Sequence, residues 1–267
     1  MAGDYRWLAF GCTHAPITDE KAWLWIVKQI DDYQPDFIIH LGDFLEGKAA
    51  SRWDKDPRHK WRLNDEFNAF GEQVNQINLV APKSKKFLLY GNHDSNLLHE
   101  FHRLDDDAKG LALERWERMQ HEELKGWTLP CSCYGHDQYF RLGQITFQHG
   151  GNTGKAQTQS HLFKQAVEYG VPFGLHVSAH THAPVSPKQF QHLDIHLPYW
   201  VANVGTLADW DQMHYMNRAS RSLWGRGLVR GTVSKGSVDQ RCAAYARPQW
   251  TAELLVHSYA SRNRFAA

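Results

Sequence analysis

Long apolar runs are missing from this chain. No window of its 267 residues comes close to about 18 uninterrupted apolar side chains, so no membrane-spanning helix is expected. An excess of one charge sign is missing too. The formal net charge is +1 at pH 7, which removes any global pull toward nucleic acid or a lipid surface and leaves such affinities to local patches. Cysteine is scarce: Cys12, Cys131, Cys133 and Cys242 are too few for a chain of this length to rest on a disulfide framework, and they read as reduced thiols. The opening residues, Met1 to Tyr5, lack a basic segment followed by an apolar one. Together these absences predict a soluble protein that is not exported, and a cytoplasmic location. Internal repeats and low-complexity tracts are also absent.

What is present is an ordinary globular composition with one anomaly. Apolar residues make up 42% of the chain and charged residues 22%, which argues against disorder. The length allows two domains, but folds of this kind often form one, and a single domain over residues 1–267 with loop insertions is expected. Histidine is the anomaly. Seventeen of them are enough to make metal ligation the first chemistry to test.

Periodicity places the first half of the chain as strand, helix, strand. Tyr5 to Phe10 reads as a strand, and Thr18 to Tyr33 as a helix, because Trp23, Ile26, Val27, Ile30 and Tyr33 recur at helical spacing until Pro35 stops them. Phe37 to Leu41 and Lys86 to Tyr90 are short apolar runs that enter Gly-containing polar turns, as buried strands do. Helical insertions are expected at about 47–84, where Phe67, Phe70, Val74 and Ile77 share one helix face, and at about 95–127, with a polar helix near Asp107 to Lys125. From Tyr139 the pattern turns to short strands: Ile145 to Gln148, Leu175 to Ser178, Tyr199 to Asn203, Gly227 to Val233 and Ala252 to His257, with a helix near Ala156 to Tyr169 between them. Strand-helix units followed by strands fit an α/β arrangement of two sheets face to face with helices outside.

Five polar clusters fall at or just after the expected strand ends: Cys12-Thr13-His14, Gly42-Asp43, Gly91-Asn92-His93-Asp94, His149-Gly150 and His180-Thr181-His182. Strand ends present functional loops on rigid supports. The clusters offer a thiol, a carboxylate, an amide oxygen and several imidazoles, the donor set that Zn, Fe and Mn accept. That set is too rich for one ion. Two cations about 3.5–4 Å apart need a bridging carboxylate between them, and Asp43 is the natural candidate.

In this order the clusters resemble the motifs of the calcineurin-like metallophosphoesterase superfamily, D-x-H, GD, GNH[DE], H and GHxH, over roughly residues 5 to 206. The resemblance implies a two-sheet β-sandwich flanked by helices on both sides, the four-layer αββα metallophosphoesterase fold. It implies two divalent transition-metal ions (Mn, Fe or Zn), one bound by Cys12, His14, Asp43 and His182 and the other by Asp43, Asn92, His149 and His180. It also implies hydrolysis of a phosphate ester by metal-activated water. His93 is then not a ligand but a contact to the substrate phosphate that stabilises or protonates the leaving oxygen. Glu46, three residues after Asp43, is the first candidate to orient His93, and Asp94 is the alternative.

The sequence departs from the family pattern in three places. Ala179 replaces a glycine before the last histidine pair, and Gln148 precedes His149; both read as tolerable neighbour changes. Cys12 stands where aspartate is usual. A thiolate is softer than a carboxylate and bonds at longer range, which favours Zn or Fe over Mg; the alternative is an inert buried thiol.

The remaining candidates have blander readings. Cys131-Ser132-Cys133 lacks the spacing of zinc pairs, and Gly151-Asn152-Thr153-Gly154-Lys155 lacks that of a phosphate loop and reads as a flexible turn. His40, His99, His102, His161 and His176 read as packing or surface residues, with His99 close enough in sequence to line the cleft. The tryptophans read mainly as core and insertion packing.

Substrate class rests on one stretch. Between Asp211 and Asp239 no acidic residue occurs, while Arg218, Arg221, Arg226, Arg230 and Lys235 alternate with Tyr215 and Trp224. That mixture suits phosphate contact and base stacking and favours a phosphodiester, nucleic acid or a nucleotide, with Arg221 and Arg226 as substrate contacts. Three alternatives stand beside it: a phosphomonoesterase, a protein phosphatase, and a binding module that keeps the fold without catalysis.

Overall fold

Side-chain alternation in the central strands fixes the layering. The structure, a computed structural model, describes residues 3–48, 61–101, 106–135, 138–151, 173–192, 195–213, 221–239 and 247–258. In β1 (Asp4–Phe10) Leu8 and Phe10 face one hydrophobic cluster, while Trp7 and Ala9 face another. β2 (Phe37–His40) repeats the alternation, with Ile38 on the first side and Phe37 and Ile39 on the second. All four residues of β2 are buried, as expected of a strand covered on both faces.

The first cluster lies between this sheet and the helices. α1 (Glu20–Tyr33) starts where Asp19 caps it by accepting from the backbone N–H of Ala22, and it buries Ala22, Trp23, Ile26 and Ile30. It ends at Gln34, in left-handed backbone, just before Pro35. α2 (Leu63–Val80) buries Phe67, Phe70, Val74 and Ile77, the face expected from their spacing. After β3 (Lys85–Leu88) come α3 (Asn92–Phe101) and α4 (Asp106–Arg118). The polar helix expected to Lys125 stops earlier as α-helix. It widens into a π-turn, Met119–Glu123, in which the Leu124 N–H reaches back to the Met119 carbonyl and Glu123 meets Arg115 at 2.8 Å.

The second cluster lies between two sheets. β4 (Trp127–Thr128) closes one edge of the first sheet. β10 (Gly227–Ser234) and β11 (Glu253–Val256) lie at the other edge, giving the order β11-β10-β1-β2-β3-β4. β1, β2, β3 and β4 run parallel to one another, whereas β10 pairs antiparallel with both β1 and β11. The second sheet comprises β5 (Phe140–Leu142), β6 (Ile145–Phe147), β7 (Leu175–Ser178), β8 (Val185–His192) and β9 (Ile195–Asn203), in the order β5-β6-β7-β9-β8. Phe147, Val177 and Ala202 meet Trp7, Ala9 and Ile39 across the interface, where the Trp7 and Phe147 rings lie edge to face at 5.4 Å. A short helix, α5 (Lys235–Asp239), follows β10.

The architecture is therefore two mixed sheets with helices packed outside. The helix expected near 156–169, which would cover the far face, lies outside the described residues. No helix among the described residues is long and apolar enough to cross a membrane.

Candidate metal centre

Parallel strands deliver the first two clusters side by side. Beyond the ends of β1 and β2, the backbone N–H groups of Cys12, His14 and Ala15 donate to the carbonyls of Gly42, Asp43 and Phe44, so the two loops continue as a ladder. Within that ladder the chain turns sharply. Cys12, His14 and Asp43 all have φ of 51°, and His180 and His182 have 60° and 59°. Left-handed backbone is uncommon outside glycine, and a run of it at the ends of rigid strands marks a functional site. Close approach is also built in: a Cβ on Gly91 would lie 2.1 Å from the Asp43 carboxylate, so only glycine lets this backbone pass.

The side chains converge on two neighbouring points. Cys12, His14, Asp43 and His182 form one group of donor atoms within 4.8 Å of one another, and Asp43, His149 and His180 form a second. Asp43 belongs to both, with Oδ2 3.1 Å from His149 Nε2 and 3.8 Å from His14 Nε2. Asn92 joins the second group, its Oδ1 being 2.9 Å from His180 Nδ1 and 3.1 Å from His149 Nε2.

Backbone and carboxylate partners fix which ring nitrogen points inward. His14 Nδ1 donates to Glu46 at 2.9 Å and His149 Nδ1 donates to the Leu41 carbonyl at 2.7 Å, which leaves Nε2 of each as the inward donor. His93 Nδ1 donates to the Glu46 carbonyl at 2.7 Å. The ring nitrogen of His182 faces that of His14 at 3.3 Å, and those of His180 and His149 are also 3.3 Å apart.

These contacts fit metal ions. Two nitrogens bound to one tetrahedral ion at about 2.1 Å stand about 3.4 Å apart, close to both imidazole pairs. Lone pairs converging in this way around a buried carboxylate call for a cation among them. The Nδ1 of His182 is buried without a hydrogen-bond partner among the described residues, so the interior geometry satisfies this imidazole only through its inward atom.

Electrostatics are those of a crowded, buried site. Burial alone would raise the Asp43 carboxyl, but the imidazoles of His149, His93 and His14 hold it well below the usual range. Burial opposes charge on His93, yet the Asp43 and Glu46 carboxylates push it up to about 9. Burial and the neighbouring His149 lower His180 to about 4, and burial with His14 lowers His182 well below its ordinary value. The Cys12 thiol is raised well above its usual value by burial and by Asp43. It accepts the His180 backbone N–H at 3.3 Å, and a cation beside it would favour the thiolate.

Glu46 and Asp94 do different work from each other. Glu46 gives its carboxylate to His14 and its carbonyl to His93, with the carboxylate 3.7 Å from His93 Nδ1. Asp94 accepts the backbone N–H groups of Asp43, Leu45 and Gly91 at 2.8, 3.0 and 2.7 Å, clamping the Asp43 loop to the Gly91 turn. No spacing in the sequence signals the Glu46–His14 contact.

Two residues at and just after the end of β9 brace the site without any motif in the sequence to mark them. Asn203 donates to the Ala179 carbonyl and to Ser178 Oγ, and Thr206 donates to the Cys12 carbonyl. The signal available was their position, polar residues at the end of an apolar strand run and just after it.

The basic segment is more engaged than its composition suggests. Arg226 is buried, pairs with Asp19 at 2.8 Å and lies 3.9 Å from the centre of the Trp210 ring. Arg230 pairs with Glu253, and Arg221 donates to the Trp210 carbonyl. Arg226 is thereby committed to holding the β10 entry against the cap of α1, because a buried guanidinium needs a carboxylate. Trp224 sits half-buried with its ring 4.4 Å from that of His182. Tyr215 and Arg218 lie outside the described residues, as do Cys242, His102 and His161. His99 is exposed on α3, whereas His40 and His176 are buried.

Comparison with known proteins follows the same line. A family model described as calcineurin-like phosphoesterase matches residues 5–199. No curated protein matches the chain. Among solved structures, Yfce, a phosphoesterase from E. coli, is 15% identical, covering 90% of this chain and 97% of that one at a TM-score of 0.39. Vacuolar Protein Sorting 29 from Cryptosporidium parvum is 11% identical, covering 96% and 99% at 0.44. A predicted phosphoesterase from Streptococcus pneumoniae TIGR4 is 11% identical, covering 96% and 100% at 0.38. The match spans most of the chain and takes in all the donor loops, and the chain belongs to the calcineurin-like phosphoesterase family, a family of metal-dependent phosphoric ester hydrolases.

Proposed function

We propose that this hydrolase acts at a centre of two divalent transition-metal ions, one held by Cys12, His14, Asp43 and His182 and the other by Asp43, Asn92, His149 and His180, and that its substrate is a phosphodiester. The observation that carries the binuclear reading is the position of Asp43, one carboxylate belonging to two adjacent donor groups. A bound pair of ions polarises phosphate oxygens and lowers the pKa of water. The chain supplies the rest. Glu46 and the Leu41 carbonyl orient His14 and His149, and Asp94 holds the Asp43 loop against the Gly91 turn. His93, protonated through its two carboxylate neighbours and anchored at Nδ1, is left with Nε2 to donate to the leaving oxygen.

Support for a nucleotide-like diester comes from Trp224, an aromatic surface beside His182 that suits a flat ring. Arg226 no longer contributes to it, since Asp19 occupies its guanidinium. The test supplies Mn, Fe or Zn and compares aryl phosphomonoesters, aryl phosphodiesters and single- and double-stranded nucleic acid. The proposal expects faster diester turnover, and a loss of about 10²–10⁴-fold in kcat for His93→Ala with metal content intact. Turnover confined to monoesters would replace the substrate assignment with the phosphomonoesterase reading. No turnover with any of the three metals would favour the binding module.

A further inference from the structure

We propose that His40 is a positioning residue that sets the spacing between the Cys12–His14 loop and the Asp43 loop, and with it the ability of the first donor group to hold a metal ion. The inference rests on the metal-centre reading above and names a residue outside its ligand set.

His40 is the last residue of β2, buried on the helix-facing side among the rings of Phe10, Phe44 and Phe70. An imidazole in such a place is costly unless both nitrogens are used. Both are. Nδ1 accepts the backbone N–H of Gly42 at 3.2 Å, which leaves the proton of the neutral ring on Nε2, and Nε2 donates to Thr13 Oγ1 at 3.1 Å. The Thr13 hydroxyl is then turned toward the Phe44 carbonyl at 3.4 Å. Gly42 directly precedes Asp43, and Thr13 lies between Cys12 and His14. One ring is therefore bonded to both ligand loops from behind, and the relay runs in a single direction from Gly42 through His40 and Thr13 to Phe44. An apolar residue of similar size could fill the space but could not join the loops, so packing alone does not account for histidine here.

The test uses the full chain, stripped of metal and titrated with Zn or Mn against a chelator of known affinity, beside thermal unfolding of the stripped protein. His40→Leu and Thr13→Val are each expected to weaken metal affinity about 10–100-fold, the range seen when partners behind ligands are removed. Stripped His40→Leu and Thr13→Val should unfold as cooperatively as the parent. His40→Asn can still accept from Gly42, and it should recover part of the loss. Because both substitutions break one relay, His40→Leu combined with Thr13→Val should cost little more than either alone. kcat should fall while KM for a small ester holds. Parental affinity in both His40→Leu and Thr13→Val would overturn the inference and make His40 a packing residue. Should His40→Leu fail to fold, Thr13→Val decides by the same readout. Metal stoichiometry of the unsubstituted chain tests the binuclear reading separately.

Discussion

Cys12 combines two oddities, a thiol where the family usually has a carboxylate and a left-handed backbone at φ 51°. Aspartate tolerates that backbone better than most residues, and its oxygen is a harder donor. Cys12→Asp is therefore expected to fold and to shift the metal taken up from a Zn and Mn mixture toward Mn, read by elemental analysis. Cys12→Ala should weaken only the group that includes His14, and unchanged metal content and kinetics would reduce Cys12 to a packing residue. Gly91→Ala tests the opposite kind of requirement. Its added Cβ would lie 2.1 Å from an Asp43 oxygen, so the carboxylate must move and metal binding should be lost even if the fold survives. The residues of the candidate donor groups stood out in the sequence because each follows a strand-like run in a fixed order. The partners of Glu46 and Asp94 were not, because they depend on which backbone groups two loops bring together, and that is a property of tertiary contact.

At the level of elements, α2 is a brace as well as a cover. Its Glu66, fully buried, accepts the Gly47 N–H at 2.6 Å, directly beside Glu46. Its Gln73 donates to Thr18, whose hydroxyl donates to the Thr13 carbonyl in the Cys12–His14 loop. Glu66→Ala leaves a buried N–H without this acceptor and should cost about 1–3 kcal/mol by denaturant unfolding, with an additional drop in kcat as Glu46 loosens. Loss of stability with kcat untouched would show that α2 supports the fold without reaching the site. Trp116, packed against Phe44, Phe67 and Tyr90, should cost about 3–5 kcal/mol as Trp116→Ala. Strong periodicity made α1 and α2 readable, and buried apolar runs did the same for β1, β2 and β7. The two-residue β4 and three-residue β5 carry too little pattern, and β8 contains Pro187 and polar residues on an edge, so pairing alone defines them. The start of α3 was hidden because Gly91-Asn92-His93-Asp94 reads as a turn while also opening a helix.

For the whole molecule, the two sheets matter because their ends meet at one place. Cys12, His14, Asp43 and Asn92 come from the first sheet's side, and His149, His180 and His182 from the second, so the donor groups are complete only when the sandwich is closed. Metal removal should therefore lower the unfolding temperature of the entire domain, since ions that bind only the folded state stabilise it by mass action. Two sheets face to face were legible from the order of strand and helix patterns and from the family resemblance, but the strand order within each sheet was not, because periodicity marks faces and not neighbours. The measurement that bears most directly on this account is the metal content per chain of the purified protein and of Asp43→Asn, taken together with their phosphoesterase activity. The account predicts about two transition-metal ions per parent chain, and loss of most metal and most activity together on substituting Asp43. Two ions and full activity retained by Asp43→Asn would contradict it.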